Sequence, residues 1–339
     1  MVTPSIINPP AQTGIISCII GVGHYLPEHK LDNDALAREK NIDTSDEWIF
    51  QRSGIRHRHF AAADEACSDL GAKAAQAALE QAGISPDHID LIIVATTTPD
   101  HIFPATATKI QAKLQVPPCP AFDVQAVCSG FIFALNQADN MLRLGQATRA
   151  LVIGAETYSR ILNWQDRSTC VLFGDGAGAV VLEASRANNQ AEKQSGLIDH
   201  FLQSDGSHYD RLFVDGGAGS TGQYGHVTMD GKDVFRHAVH KMSDAVNILC
   251  EKHHITANQL DWLVPHQANA RIIEKVGERL NIDPNKVIIT VQDHANTSAA
   301  TIPIALCHGA AHDKFKKGDL IALTALGGGF SWGASLLRW

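Results

Sequence analysis

Three stretches in the first half of the chain recur in the second, in the same order. AGISPDHIDLIIVATTTPD (82–100) matches HHITANQLDWLVPHQAN (253–269): a helix end, a short polar link, an aspartate, then an apolar strand. FDVQAVCSGFIFAL (122–135) matches ITVQDHANTSAATIPIAL (289–306): a strand, a turn of small residues, an apolar helix. ALVIGAE with FGDGAGAVVLEA (150–184) matches DLIALTALGGGFSWGASLL (319–337). Strands alternating with helices imply an α/β fold with buried sheets, here as one unit used twice. The halves are expected to divide in the polar stretch SRANNQAEKQSG (185–196), giving a leader over 1–13, a first half over 14–185 and a second over 186–339. Matching strand ends of two such halves face one another. Cys128, His266 and Asn296 sit at those ends and are expected to converge.

Local patterns agree with that plan. Strand signals run through GIISCIIGVG (14–23), DLIIVATTT (90–98), ALVIGAET (150–157) and AGAVVLEAS (177–185). SDLGAKAAQAALEQAG (68–83) reads as a helix closed by Gly83. A chain of 339 residues with 45% hydrophobic content can bury a core for both halves. The net charge of −8 argues against general nucleic-acid binding, which needs a basic surface. Seven cysteines, odd in number and without a CxxC pair, read as a reduced, cytoplasmic protein rather than a disulfide scaffold. The start, MVTPSIINPPAQTG, lacks Lys and Arg and so does not read as a signal peptide, and no run reads as a membrane span.

Cys128 ends an apolar strand and precedes an apolar helix through Ser129 and Gly130. Free amides and the positive end of that helix would lower the thiol pKa and make a nucleophile; a buried Cys packed as a small hydrophobe is the other reading. His266 follows a strand in VPHQAN. Asn296 lies in DHANTSAA, where it could equally be a helix N-cap. Together the three suggest a nucleophile with two proton or hydrogen-bond donors. The glycines of ALGGGFSWG (325–333) permit the close backbone approach that suits an oxyanion-hole amide. GDGAGA (174–179) reads as close strand packing, and DGGAGSTGQYG (215–225) as a flexible loop without the context of a phosphate loop.

Further motifs concern binding. TSDEWIFQRSGIRHRHF (44–60) opens with a capping box, Thr44 to Glu47, and sets Trp48 near Arg52, Arg56 and Arg58. An aromatic plane beside guanidiniums suits a nucleotide with phosphates; an exposed charged turn is the plainer reading. Arg271, Lys275 and Arg279 share one helix face, a stripe that could dock an acidic carrier or simply be a solvated surface. CHGAAH (307–312) pairs His308 with His312 beside Cys307, but zinc needs three or four ligands and no further partner has the spacing. No metal is expected.

AFDVQAVCSGFIFAL, FGDGAGAVVL, LVPHQAN, HANTSAA and GGGFSWG, in that order, resemble β-ketoacyl-[acyl carrier protein] synthase III of the thiolase superfamily, from about residue 14 to the C-terminus. HQAN with HANTSAA is similar to this group rather than to elongating condensing enzymes, which use Cys-His-His. Thiolases carry a second cysteine in their last motif, and GGGFSWG has none. The resemblance implies a thiolase-like duplicated α/β fold in five layers, αβαβα. It also implies a cofactor-free decarboxylative condensation of an acyl-CoA primer, acetyl-CoA foremost, with malonyl-acyl carrier protein, initiating type II fatty-acid synthesis.

Residue roles follow from the matching motifs. Cys128 would accept the acyl group and His266 and Asn296 would complete the triad. The amides of Cys128 and Gly328 would form the oxyanion hole. Trp48 and Arg167 would sandwich the coenzyme A adenine, with Arg52 near its phosphates, and Arg271 would meet the carrier protein. Phe103, in PDHIFPA, would cross a homodimer interface to close the partner's primer pocket. Val127 and Leu326 stand where the family often has Ala and Phe, near the acyl chamber. Alternatives are a condensing enzyme of secondary metabolism with another acyl or aroyl primer, a type III polyketide synthase, and a non-catalytic acyl-CoA-binding protein.

Overall fold

The computed structural model describes residues 14–187 and 194–339. The leader over 1–13 lies outside the described residues, as does the middle of the expected boundary at 185–196. In chain order the first half supplies β1 (Ile15–Tyr25), β2 (His29–Asp32), α1 (Asn33–Lys40), α2 (Asp46–Ser53), β3 (His57–Phe60), α3 (Cys67–Ala82) and β4 (Leu91–Ala95). It continues with α4 (Thr106–Leu114), β5 (Ala121–Val124), α5 (Gly130–Arg143), β6 (Arg149–Thr157) and β7 (Asp175–Arg186). Then come β8 (Gly196–Ser204), β9 (Leu212–Val214), β10 (Val227–Met229), α6 (Gly231–Lys252) and β11 (Trp262–Pro265). The chain ends with α7 (Ala270–Arg279), α8 (Val291–His294), α9 (Thr301–Ala311), β12 (Leu320–Gly327) and β13 (Ser331–Arg338).

Two sheets repeat one topology. The first runs β1-β7-β6-β4-β5, with β4 parallel to both β5 and β6 and the remaining pairs antiparallel. The second runs β8-β13-β12-β11, with β11 parallel to β12 and the other pairs antiparallel. The counterpart of β5 is the segment after residue 286. There Val287 forms a parallel bridge to Leu263, and Ile288 N donates to Leu263 O at 2.9 Å. Pairing then passes to a side chain. Buried Gln267 donates to the carbonyls of Pro265 and Ile288 and accepts from the amides of Thr290 and Val291.

Strands β4 and β12 are buried at every position, as apolar runs in sheets covered on both faces must be. Three apolar cores hold five layers together, the middle one lying on both sides of the central helices. Leu70 and Leu79 of α3 and Ile110 of α4 pack on one face of the first sheet with Ile92 and Val94. Phe131 and Leu135 of α5 and Ile302 and Leu306 of α9 fill the space between the sheets, with Val152 and Leu323. Met242 and Val246 of α6 and Ile273 and Val276 of α7 cover the far side of the second sheet, with Leu263 and Leu336.

Several expectations change in detail. Backbone approach in GDGAGA is to a helix: a Cβ on Gly178 would fall 2.7 Å from Ile304 N of α9. The strand expected to reach residue 98 stops at Ala95, because Thr97 and Thr98 leave the sheet to donate to the buried Glu156 carboxylate. Helix α2 is capped by Ser45, whose hydroxyl accepts from Trp48 N at 3.2 Å, not by a box from Thr44. The chain is still extended at Ser45, so Glu47 falls one position short of the box. DGGAGSTGQYG is the turn-built link between the antiparallel strands β9 and β10, with Gly217 bridged to Gln223.

Candidate active site

Cys128, His266, Asn296 and Leu326 line one cavity of about 570 Å³. The turn after β5 holds Val127 at φ +50°, a conformation that costs a β-branched residue about 1–3 kcal/mol and sharply reverses the chain before the nucleophile candidate. Cys128 is 4% exposed. The glycine turn after β12 presses on it: a Cβ on Gly327 would lie 2.7 Å from Cys128 N, and one on Gly328 would lie 2.4 Å from Leu212 O. The thiol differs from expectation. Burial pushes it up to about 12, and the charge of buried Glu156 adds to this. Desolvation of a thiolate outweighs the helix end behind it, so the resting group is the thiol.

His266 leaves β11 at 2% exposure, and burial lowers its imidazole to about 3, so it too is neutral at rest. Its tautomer follows from its neighbours. Assigning the one proton of Thr301 Oγ1 to Ser298 O at 3.0 Å makes the ring the donor in the 2.6 Å contact to His266 Nδ1. Nε2 then carries the lone pair and can take a proton. Asn296 is 6% exposed, and its Oδ1 accepts from Ser298 N at 2.8 Å, which leaves its Nδ2 as the group with hydrogens to give. The N-cap reading of Asn296 fails, because the short turn over 298–300 starts from Thr297 without a side-chain cap, and the contact to Ser298 N instead orients the Asn296 amide. Two residues absent from the sequence reading matter here: Thr301, and His294. His294 is buried between Thr290 Oγ1 at 2.8 Å and Ala295 O at 2.7 Å and fixes the loop before Asn296. Their only sequence signal is membership of HANTSAAT.

Trp48 and Arg52 line the same cavity with Arg271. The guanidiniums of Arg52 and Arg167 sit 4.3 and 4.9 Å from the Trp48 ring. Arg167 is half exposed and bonded to Asp43 O, and at this spacing the expected sandwich of a base against Trp48 would need it to swing outward. Arg56 instead lies 3.7 Å over Phe50 and 3.6 Å from Asp46. Arg58 does not join this group. It alternates inward on β3, is fully buried and donates to Val171 O, with burial lowering it to about 10. On α7, Lys275 pairs with Glu278 and Arg279 with Asp244, while Arg271 has no acidic partner among the described residues and faces the ring of Phe235. Phe103 is 83% exposed and outside this cavity. In CHGAAH the His308 and His312 rings stack at 4.1 Å, and Cys307 lies 3.1 Å from His24 Nδ1.

A family model described as 3-oxoacyl-[acyl-carrier-protein (ACP)] synthase III matches residues 122–206, and the model of its C-terminal part matches 250–339. The chain is 55% identical over 328 residues to the β-ketoacyl-[acyl-carrier-protein] synthase III of Bradyrhizobium diazoefficiens, covering 97% of this chain and 100% of that one. The chain belongs to the 3-oxoacyl-[acyl-carrier-protein] synthase III family. The family's protein from Agrobacterium fabrum is 54% identical, over 96% of this chain and 100% of the relative. Among solved structures, the family's enzyme from Aquifex aeolicus superposes with a TM-score of 0.88 at 44% identity, over 95% and 100% of the two chains. The priming β-ketosynthase of the R1128 polyketide pathway gives 0.88 at 31% identity, over 99% of each. Synthase III thus accounts for the thiolase-like duplicated fold. Among the described residues no helix is long and apolar enough to cross a membrane.

Proposed function

We propose that this chain condenses an acyl-CoA primer, acetyl-CoA foremost, with malonyl-acyl carrier protein to give a 3-oxoacyl-acyl carrier protein. The observation that carries this is the cavity shared by Cys128, His266 and Asn296, with a proton acceptor at His266 Nε2 and a donor at Asn296 Nδ2. Cys128 Sγ attacks the thioester carbonyl while His266 Nε2 takes the thiol proton. The amides of Cys128 and Gly328 hold the tetrahedral oxygen. The carbon–sulfur bond to coenzyme A breaks, and coenzyme A leaves as the thiol with that proton.

Malonyl-carrier then enters. Its carboxylate raises the proton affinity of the imidazole, so the proton that the net reaction consumes enters at Nε2. Loss of CO₂ leaves an enolate whose oxygen is held by His266 Nε2–H and Asn296 Nδ2. The enolate carbon attacks the acyl carbonyl, and Cys128 departs with the proton from His266. No metal or redox cofactor has a step in this sequence. Trp48 and Arg167 would hold the adenine, Arg52 the phosphates, and Arg271, with Lys275 and Arg279, the acidic carrier. The exposed Ile102 and Phe103 suit a homodimer in which Phe103 closes the partner's pocket. Seven free thiols suit a reducing cytoplasm.

Intact-protein mass spectrometry after mixing with acetyl-, isobutyryl-, octanoyl- and benzoyl-CoA tests this. One acetyl adduct on wild type and none on Cys128→Ala is the expected result. Adducts only from longer or aromatic primers would move the chain to secondary metabolism with the same chemistry. No adduct from any primer would leave an acyl-CoA-binding protein.

A further inference from the structure

His208, Asp233 and His237 each offer a ligand atom, all within 4.8 Å of one another, and they are the group among the described residues that meets this test. Asp233 and His237 stand one turn apart on α6, and His208 lies in the turn before β9. The two imidazole rings are 4.3 Å apart, and each is 5.2 Å from the ring of Phe330, the residue after the glycine turn. His237 Nε2 is buried without a hydrogen-bond partner, 3.8 Å from Asp233 Oδ1. A buried ring nitrogen with nothing to bond is an orphan that a metal ion would satisfy.

We propose that His208, Asp233 and His237 form a binding site for a zinc-class divalent cation, with water as the fourth ligand. Tetrahedral zinc with bonds of about 2.0–2.2 Å sets ligand atoms about 3.3–3.5 Å apart, so the three side chains close by roughly an ångström. The surroundings permit this. Asp233 Oδ2 is 3.3 Å from Arg211 Nε, which can stay as an outer support, while Arg236, the partner of Oδ1, is two-thirds exposed and can turn to solvent. Asp205 Oδ2 lies 3.6 Å from His208 Nε2 and can steady that ring. The ion would tie the turn before β9 to α6 across Phe330, outside the reacting groups.

Cobalt(II) titration of chelator-stripped wild type, read by visible absorption, tests the site. The expected result is one equivalent with an intense tetrahedral visible band and no thiolate charge-transfer band. Affinity should fall at least tenfold in His208→Ala, His237→Ala and Asp233→Asn and be unchanged in His312→Ala. The wild-type spectrum decides even where a variant fails to fold. A thiolate band would put the ion on one of the seven free cysteines, and undiminished binding in folded His237→Ala would put it elsewhere. Either result, or no saturable binding, overturns the proposal.

Discussion

Residue types in the cavity were readable in the chain, but their proton states were not. Cys128 at a helix start reads as an acidic thiol, yet burial makes it a neutral thiol in one cavity with a neutral imidazole, and in the proposed mechanism reactivity then depends on which nitrogen of His266 is free. Thr301 decides that. In Thr301→Val the Nδ1–H loses its acceptor and the ring is released to the tautomer that cannot take the thiol proton. A buried donor left unpaired costs about 1–3 kcal/mol, so single-turnover acylation should slow roughly 10- to 100-fold with acyl-CoA affinity unchanged. Thr301→Ser should restore most of the rate. Wild-type acylation by Thr301→Val would show that Nδ1 needs no partner. Arg58 makes the same point from the other side: RHRHF reads as a basic cluster until strand alternation turns that guanidinium into the core.

At the scale of elements, helix and strand identity followed from pattern, and termini followed from local geometry. Gly83, with φ +68°, ends α3 where its lack of a side chain allows a left-handed cap. The start of α2 was misread by one residue because Thr44 and Ser45 are both capping types, and only backbone direction separates them. Ser45→Ala should therefore lower stability by about 1 kcal/mol in denaturant unfolding. Thr44→Ala, whose hydroxyl is buried without a partner, should change it by less than about 0.5 kcal/mol. The reverse ranking would return the cap to Thr44. Glycines in strands report layer contacts rather than turns: a Cβ on Gly23 of β1 would meet Ala78 N of α3 at 2.3 Å, which explains the alanine-rich face of that helix.

Across the whole molecule, burying histidines couples stability to pH. His294 is lowered to about 4 and His266 to about 3, against about 6.5 in an unfolded chain. Below pH 6.5 the unfolded chain takes up these protons and the folded one does not. The stability contributed by neutral burial is therefore complete above about 6.5 and is lost as pH falls toward 4. Buried Glu156 and Asp175, raised by desolvation, act in the opposite sense, so a difference between variants is the cleaner test. Between pH 7.5 and 5.5, wild type should lose about 1.4 kcal/mol more than His294→Gln in urea unfolding. Equal losses would mean that His294 titrates alike in both states.

Periodicity and motif order were enough to determine a doubled α/β chain and to nominate Cys128, His266 and Asn296, because strand ends and small-residue turns are local features written in consecutive residues. What needed the tertiary structure were properties set by distant neighbours. Gln267 replaces a strand pair, Thr301 sets a tautomer, Asp233 and His237 meet His208 across some 25 positions of chain, and burial reverses the expected acidity of Cys128. Proton affinity and side-chain pairing depend on what surrounds a group in space, and that is decided only when the two halves close on one another.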